Sequence, residues 1–409
     1  MKILAANYIL LCDKDFTILQ NSAIVFDKEI IDIDTIENIT KRYTLPIEHL
    51  GNNSVLMPGL INTHVHLEFS SNKTTLSYGN FVNWLFSVIA NREELVEKAT
   101  KELIDMELQQ MINNGTTTIG AISSYGFDMP SCVESPLNVV YFTEVLGSKG
   151  EMIDTLFADF KAKLKNAEQN KSNDFIPAIA IHSPYSTHPF LIREVLNIAK
   201  EKNYAVSAHF MESPAEKEWL NNSSGEFSEF FEKMLGQYKS LQNPSEFLDQ
   251  FKDIKHLSFT HCVEASHEEL KKIHKMGASV IHCPNSNRLL NNSILNLSLL
   301  ENIPLSMGTD GLSSNHTLNL FEEMRNGFYM HTNFDPVHLA QKLLLASTSG
   351  GAKALGLEKK GSLMKGFDAD IISFNLPDKV NDISQIAPAI LLHNSKTTHT
   401  YIGGIDEVI

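Results

Sequence analysis

The stretch MPGLINTHVHLEF, residues 57–69, decides the fold of this chain. Its apolar residues predict a strand over 58–66, which ends in two histidines one residue apart, His64 and His66. Alternate residues of a strand point to the same side, so both imidazoles can reach one metal ion. Two polar rings on one face cost burial energy unless they are satisfied. The pair indicates a metal site, with two unrelated loop histidines as the alternative.

Downstream of this stretch, apolar strand patterns alternate with amphipathic helix patterns. The further predicted strands are 116–123, 138–146, 175–183, 204–212, 257–264, 278–284 and 303–311. Eight β/α units fit a closed parallel barrel of roughly 250 residues plus insertions. We therefore predict an α/β fold, a (β/α)8 TIM-type barrel. The largest insertion, 213–255, is a candidate cover over the substrate.

The two ends of the chain depart from this alternation. Residues 1–57 contain short β-type runs without a long helical pattern, and residues 363–409 are similar. We predict that 1–57 and 363–409 pair into a small β-sandwich domain. Residues 58–362 then form the metal-dependent barrel domain.

The composition argues against several classes of function. A formal charge of −15 is unfavourable for binding nucleic acid or an anionic membrane, both of which need clustered Lys and Arg. No stretch approaches the roughly 18 apolar residues of a membrane span. The four cysteines are scattered and are typical of reduced thiols. We expect a cytoplasmic enzyme with a small-molecule substrate.

Polar residues occur where the predicted strands end. They are His64 and His66 on the first strand, His182 on the fourth, His209 and Glu212 on the fifth, His261 on the sixth and Asp310 on the eighth. In a β/α barrel these ends meet on the catalytic face. Three histidines and one aspartate suit zinc or another borderline divalent ion. We predict one metal ion held by His64, His66, His209 and Asp310; a competing assignment puts His261 on the metal instead of one of these.

The same residues predict acid–base chemistry. A single ion lowers the pKa of bound water from 15.7 to roughly 7. Asp310 would take the proton of that water, and His261 would align it. Glu212 would protonate a ring nitrogen of the substrate while the adjacent carbon is attacked. The alternatives are a helix-capping role for Glu212 and a core position for His261.

The segments PGLINTHVH, HSPYS, SAHFMES, FTHCVE, HCPNSNRLL and GTDGLSSNHTLNLFEEMR occur in this order. Because it has these motifs in this order, the chain resembles the amidohydrolase superfamily. The resemblance is to the branch of nucleoside and nucleobase deaminases and triazine chlorohydrolases. The resemblance covers essentially the whole chain. It implies metal ligation by His64, His66, His209 and Asp310. It further implies proton transfer by Glu212 and Asp310 with help from His261, and it suggests a homodimer.

The resemblance also implies contacts to a purine nucleoside. His182 matches a residue that contacts substrate hydroxyls. Glu93, nine residues beyond Trp84, matches a glutamate that binds the ribose, although Glu94 leaves the register open and a solvated helix acid is the alternative. The chain departs from the pattern at Glu144, where such deaminases often carry an arginine.

The general likeness is to the bacterial 6-aminodeoxyfutalosine deaminases of menaquinone biosynthesis, whose substrate bears a carboxyphenyl group. For that carboxylate, Arg288, Ser186 and Thr187 are candidate partners, with a plain surface role for Arg288 as the alternative. The predicted function is deamination of this aminopurine nucleoside with one divalent ion, Zn, with Fe(II) as the alternative. The alternatives are an adenosine, methylthioadenosine or S-adenosylhomocysteine deaminase, a guanine deaminase or triazine chlorohydrolase, and a non-catalytic scaffold.

Overall fold

The alternating strand and helix patterns fold as a barrel in the computed structural model, which describes residues 1–71 and 74–408. Residue 409, the last of the predicted terminal domain, lies outside the described residues. The strands are β1 (Lys2–Leu10), β2 (Ile18–Phe26), β3 (Ile30–Thr35), β4 (Glu48–His49), β5 (Ser54–Pro58), β6 (Leu60–Val65), β7 (Thr116–Ser123), β8 (Asn138–Val145), β9 (Phe175–Ile181), β10 (Val206–Phe210), β11 (Leu257–His261), β12 (Ser279–His282), β13 (Leu305–Met307), β14 (Ile371–Asn375), β15 (His399–Ile402) and β16 (Ile405–Asp406).

Most helices lie between barrel strands. They are α1 (Ile36–Arg42), α2 (Phe81–Ala90), α3 (Arg92–Lys98), α4 (Lys101–Asn113), α5 (Met129–Glu134), α6 (Ile153–Gln169), α7 (Pro189–Lys202), α8 (Pro214–Asn222), α9 (Glu226–Leu235), α10 (Pro244–Asp249), α11 (His267–Lys275), α12 (Pro284–Leu289), α13 (Leu320–Met330), α14 (Pro336–Ala346), α15 (Ser349–Leu355) and α16 (Ile386–His393). Within the described ranges, no helix combines the length and apolar character that a membrane crossing requires.

The barrel consists of the eight parallel strands β6 to β13, each hydrogen-bonded to the next in chain order. Strands covered on both faces are expected to be apolar throughout, since neither side meets water. Every residue of β7 and β8 is buried accordingly. Each predicted barrel strand overlaps an observed one, and the predicted fold class is confirmed.

The first and last barrel strands meet at the segment GTDG, residues 308–311. The backbone N–H groups of Thr309 and Asp310 donate to the carbonyl of His64 at 3.1 and 3.0 Å. The Asn62 side chain donates to the Thr309 hydroxyl at 2.7 Å and accepts from the Thr309 backbone N–H at 3.1 Å. A Cβ atom on Gly308 would lie 2.8 Å from the Cβ of His64, so only glycine permits this close approach.

The two ends of the chain build one mixed sheet beside the barrel. Its strand order is β16-β15-β14-β5-β1-β2-β3, with β4 also paired to β1. The central pairing joins the two termini, because β5 runs antiparallel to β14 with Leu56 opposite Ser373. The smaller β part built from both termini is thus confirmed. The predicted domain bounds are residues 57, near the end of β5, and 363, before β14. These bounds stay a prediction.

Two helical segments cover the carboxyl end of the barrel. One is α2, in the segment after β6, and the other is α9, in the predicted insertion 213–255. They pack through aromatic side chains: the ring centroids of Phe81 and Phe227 lie 5.9 Å apart, and those of Phe86 and Phe230 lie 5.2 Å apart. The insertion therefore forms a wall above the catalytic face, and its closure over substrate stays a prediction.

Replacing Gly308 by alanine will destabilise the barrel closure. The added methyl group overlaps the His64 side chain, and such overpacking typically costs about 1–3 kcal/mol. We expect a lower midpoint of thermal unfolding. Gly150→Ala is the matched control, because a Cβ there meets only a ring atom of His188 at 3.7 Å. Equal midpoints for the two variants would contradict the assigned role of Gly308.

Candidate metal centre and active site

Four side chains converge at the carboxyl end of the barrel in the arrangement of a metal site. The Nε2 atom of His209 lies 3.1 Å from that of His64 and 3.4 Å from that of His66. Asp310 Oδ1 lies 3.7 Å from His64 Nε2 and 3.6 Å from His66 Nε2. Bonds of 2.0–2.1 Å to a tetrahedral zinc ion place ligand atoms about 3.3 Å apart. The observed separations match that spacing.

The protonation of these rings also fits a cation. His209 Nδ1 donates to the backbone carbonyl of His182 at 2.6 Å, which leaves a lone pair on Nε2. Burial lowers the pKa of His66 to about 3, so its ring is neutral at physiological pH. Neutral imidazoles whose lone pairs face each other need a positive charge between them. The donor set therefore fits one divalent ion.

Asp310 is held by residues of two further sequence motifs. The hydroxyls of Ser286 and Ser314 donate to its Oδ2 at 2.7 and 2.8 Å. The backbone N–H of Gly311 donates to Oδ1 at 2.9 Å. These bonds orient Oδ1 toward the histidines, as outer partners commonly do for metal ligands. Ser286 lies in HCPNSNRLL and Ser314 in GTDGLSSN, so the structure gives both motifs a role that the sequence reading did not assign.

His261 and Glu212 lie beside the four metal-site residues. His261 is fully buried, and its Nδ1 lies 3.0 Å from Asn287 Oδ1, so Nδ1 carries the proton. Its Nε2 has no hydrogen-bond partner among the described residues and lies 3.5 Å from Glu212 Oε1. Ligand atoms of His64, His209 and His261 also lie within 4.8 Å of one another. A role for His261 as a metal ligand therefore stays open.

Glu212 is a cavity residue and does not cap the following helix. Ser213 caps α8, its hydroxyl accepting the backbone N–H of Glu216 at 3.1 Å. Glu212 is 6% exposed and lines the same cavity as His209 and Asp310. Burial, with the nearby carboxylates of Asp310 and Glu216, raises the pKa of Glu212 well above its usual range. Burial therefore favours the protonated form of this carboxyl.

Glu216 fixes the backbone that carries Glu212, a role that the sequence analysis missed. Its carboxylate is fully buried and accepts the backbone N–H groups of Met211 at 3.0 Å and Glu212 at 2.7 Å. The signal was present as Ser213-Pro-Ala-Glu216, a capping-box pattern. The glutamate of that pattern usually reaches back to the cap residue. Here its carboxylate instead accepts the backbone N–H groups of the two residues that precede the cap, Glu212 and Met211, which directly follow β10.

The backbone is strained at the same strand ends. Met211, His261 and Asp310 have φ values of 50°, 71° and 58°. Residues other than glycine rarely adopt positive φ, and such strain of about 1–3 kcal/mol typically concentrates at active sites. The barrel framework thus holds these side chains in positions that relaxed strands would not supply.

His182 and Glu144 line the polar side of the cavity. His182 Nδ1 lies 2.7 Å from the hydroxyl of Ser186, which also lines the cavity. Glu144 is buried; one carboxylate oxygen accepts the Ser124 hydroxyl, and the other has no hydrogen-bond partner among the described residues. Burial raises the pKa of Glu144 to about 7. Both residues therefore present polar atoms to the cavity.

Glu68, two residues beyond His66, organises the neighbouring loop and was also missed by the sequence reading. Its carboxylate accepts the backbone N–H groups of Ser124, Tyr125 and Gly126 at 2.7–3.0 Å. A carboxylate with several backbone donors fixes a loop strongly. Ser124 and Tyr125 are thereby held as part of the cavity wall.

Three predicted substrate contacts are not among the residues that line this cavity. Glu93 is exposed in α3 and lines a separate surface hollow with Glu94 and Glu97. Arg288 is exposed on α12, which fits the plain surface role given above as its alternative. Thr187 is buried, and its hydroxyl donates to the carbonyl of Val145. The structure brings Arg92, the neighbour of Glu93, to the cavity instead.

The cavity has a polar end and an apolar end. Its volume is about 420 Å³, which is within the range of small-molecule sites. The polar end holds His66, His182, His209, Glu212 and Asp310. The apolar end is lined by two helices, with Trp84, Leu85, Val88 and Ile89 from α2 and Phe230, Phe231, Met234 and Leu235 from α9. Trp84 is fixed by its indole N–H, which donates to the carbonyl of Ser313 at 2.9 Å.

This fold and site agree with the comparison to known families. Residues 55–405 match the sequence profile of the Amidohydrolase family. The chain belongs to this family, as the order of its motifs predicted. The match begins at β5 and ends at β16, so it includes the whole barrel and all the site residues described above.

Individual relatives are similar along their full length. A Nitratiruptor protein named aminodeoxyfutalosine deaminase is 43% identical over 393 residues, 96% of each chain. A Helicobacter pylori protein named adenosine deaminase is 35% identical over 98% of each. The crystal structure of Helicobacter pylori aminofutalosine deaminase with methylthio-coformycin superposes with a TM-score of 0.94 at 35% identity, covering 99% of this chain and 100% of that one.

Replacing Glu216 by glutamine will lower kcat with little change in fold. Glutamine replaces one carboxylate oxygen by an NH2 group, which cannot accept a hydrogen bond from a backbone N–H group. One of the two bonds that fix the backbone at Met211 and Glu212 is therefore lost. Because displacements near 1 Å can cost about 10²-fold in rate, we expect kcat to fall roughly 10- to 100-fold. Glu246→Gln is the matched control, an exposed glutamate in the capping box of α10. Similar kcat values for both variants would contradict this role.

Proposed function

We propose that this protein catalyses the metal-dependent hydrolytic deamination of an aminopurine nucleoside, with 6-aminodeoxyfutalosine as the substrate. One observation carries the proposal: a buried carboxyl, that of Glu212, lies beside His261 and a convergent set of three histidines and Asp310. The identity to the Nitratiruptor aminodeoxyfutalosine deaminase and the similarity to the Helicobacter pylori aminofutalosine deaminase support the substrate.

His64, His66, His209 and Asp310 would hold the ion, which when bound activates a water molecule as a nucleophile at neutral pH. Glu212 donates its proton to the ring nitrogen next to the amino-bearing carbon of the purine, which makes that carbon electrophilic. The His261 Nε2 lone pair accepts a hydrogen bond from the attacking water and aligns it. As the water oxygen bonds to that carbon, Asp310 takes one proton of the water and passes it to the amino group, which leaves as ammonia when the C–N bond breaks. The second proton of the water returns to Glu212, and the ring nitrogen of the product keeps the proton it received.

The finer assignments belong to the same proposal. We propose zinc as the ion, with iron(II) as a second option, because neutral imidazoles and one carboxylate suit both. The four cysteines are free and buried, which is consistent with a cytoplasmic location. We further propose a homodimer that acts in menaquinone biosynthesis. The similarity to the Helicobacter pylori adenosine deaminase favours one second candidate, an adenosine or methylthioadenosine deaminase.

A substrate comparison tests the proposal. Purified protein, loaded with zinc or iron(II), is incubated with 6-aminodeoxyfutalosine, adenosine, methylthioadenosine and guanine, and ammonia release is measured. We expect the highest kcat/KM for 6-aminodeoxyfutalosine and no release from guanine. A higher value for adenosine or methylthioadenosine would select the second candidate. Absence of turnover with every nucleoside would overturn the proposed function.

Replacing Glu212 by glutamine will abolish turnover while metal and nucleoside binding persist. The amide keeps the size of the side chain but cannot donate the proton, so kcat falls by more than about 10³-fold. Metal content by mass spectrometry and nucleoside binding by calorimetry should match those of the wild type. Glu218→Gln, an exposed glutamate of α8, is the control. Near-normal turnover by Glu212→Gln would refute the acid–base assignment.

A further inference from the structure

A fully buried carboxylate, that of Glu323 in α13, lies outside the cavity lining and has no part in the proposed chemistry. Within residues 1–71 and 74–408, it forms no ion pair with a lysine, an arginine or a histidine. A buried carboxylate without a counter-ion costs folding free energy unless hydrogen bonds satisfy its oxygens. Its hydrogen-bond partners therefore show which parts of the structure it holds.

The two oxygens of Glu323 accept hydrogen bonds from two different segments. Oε1 accepts the side-chain NH2 group of Asn315, in the segment that follows Asp310. Oε2 accepts the backbone N–H of Asn285, in the first turn of α12, at 3.2 Å. The side-chain NH2 group of Asn285 in turn donates to Asn315 Oδ1 at 3.1 Å, which closes the network. One carboxylate thus joins the motifs GTDGLSSN and HCPNSNRLL.

On the α12 side, this network fixes the residue next to a serine that reaches Asp310. Asn285 directly precedes Ser286, whose hydroxyl donates to Asp310 Oδ2 at 2.7 Å. The Asn285 side-chain oxygen accepts from Asn326 Nδ2 at 2.5 Å. Asn326 follows Glu323 by three residues, so both lie on one face of α13. This face of α13 therefore holds the first turn of α12 through its backbone and through a side chain.

On the other side, the network fixes the segment that carries Asp310 itself. Asn315 directly follows Ser314, whose hydroxyl also donates to Asp310 Oδ2, at 2.8 Å. The NH2 group of Asn315 is shared between Glu323 and the carbonyl of Thr309, which accepts at 2.7 Å. An amide whose donors are all bonded has one orientation available to it. Glu323 is thus linked, through the residues in between, to the segments on both sides of Asp310.

We infer that Glu323 is a positioning residue of the metal site, which sets the place of the Asp310 carboxylate by holding both segments that bond to it. This inference rests on the proposed function, since it takes Asp310 as a metal ligand. If the two serines shift, Asp310 Oδ1 is no longer aimed at His64 and His66. Outer partners of metal ligands typically contribute about 10- to 100-fold to metal affinity.

The test measures metal affinity separately from the stability of the fold. Glu323→Gln replaces one acceptor by an NH2 group that faces a donor, and Asn315→Ala removes the link to Glu323 while α13 stays intact. The control is Glu107→Gln, a buried glutamate of α4 that is not among the cavity-lining residues. For each protein we measure the Kd of zinc by competition with a chelator, the visible spectrum with cobalt(II) in place of zinc, and the Tm of the metal-free protein.

We expect Glu323→Gln and Asn315→Ala to raise the Kd of zinc roughly 10- to 100-fold and to change the cobalt(II) spectrum, which reports the geometry of the ligands. With saturating zinc, kcat of Glu323→Gln should fall by about tenfold or more, because small displacements of reacting groups are costly. KM for the nucleoside should change by less than about twofold. Glu107→Gln should keep the wild-type Kd and spectrum, even where its Tm is lower.

Two outcomes would overturn the inference. One is a wild-type Kd and cobalt(II) spectrum in Glu323→Gln together with a lower Tm, which would assign Glu323 to the stability of the fold alone. The other is an equal rise in Kd for Glu107→Gln. If Glu323→Gln does not fold, the same two readouts on Asn315→Ala decide.

Failure of the proposed function would look different. A wild type that binds zinc but turns over no nucleoside would reject the proposed function and leave this comparison of metal affinities intact. A wild type that binds no zinc would reject both.

Discussion

The active site depends on the closure of the barrel between its first and last strands. Two backbone N–H groups, of Thr309 and Asp310, donate to the carbonyl of His64 and bring the eighth strand against the first. This contact places Asp310 Oδ1 within 3.7 Å of both His64 and His66 Nε2. Without it, two histidines of one strand would share no carboxylate, and the charge that balances a divalent ion would be missing.

Around this closure, buried polar groups hold the side chains of the proposed active site in place. Glu216 holds the backbone of Glu212, Glu68 holds the loop of Ser124 and Tyr125, and Ser286 with Ser314 orients Asp310. Each of these groups is buried and bonded, so it costs little stability while removing conformational freedom from the site. Positive φ values at His261 and Asp310 have the same effect, because strain persists only where the surrounding structure imposes it.

The cavity combines two environments that one substrate can use together. At one end, imidazoles and carboxyl groups lie close together, as the proposed acid–base chemistry beside a cation requires. At the other end, α2 and α9 provide apolar surface. In the proposed function, binding energy from the apolar end would help to position the purine beside the histidines, which is how enzymes use non-reacting parts of a substrate.

The sequence by itself determined the strands, the barrel and the residues at the strand ends, because burial on both faces imposes long apolar runs and catalysis requires polar residues where they stop. It also determined the family through the order of its motifs. Only the tertiary structure decided which residues reach the cavity. Glu93 and Arg92 are neighbours, and the orientation of a short helix places Arg92 at the cavity and Glu93 in a separate hollow. The partners of Glu216 and Glu68 were likewise invisible, since such hydrogen bonds depend on where loops lie in space and not on sequence spacing.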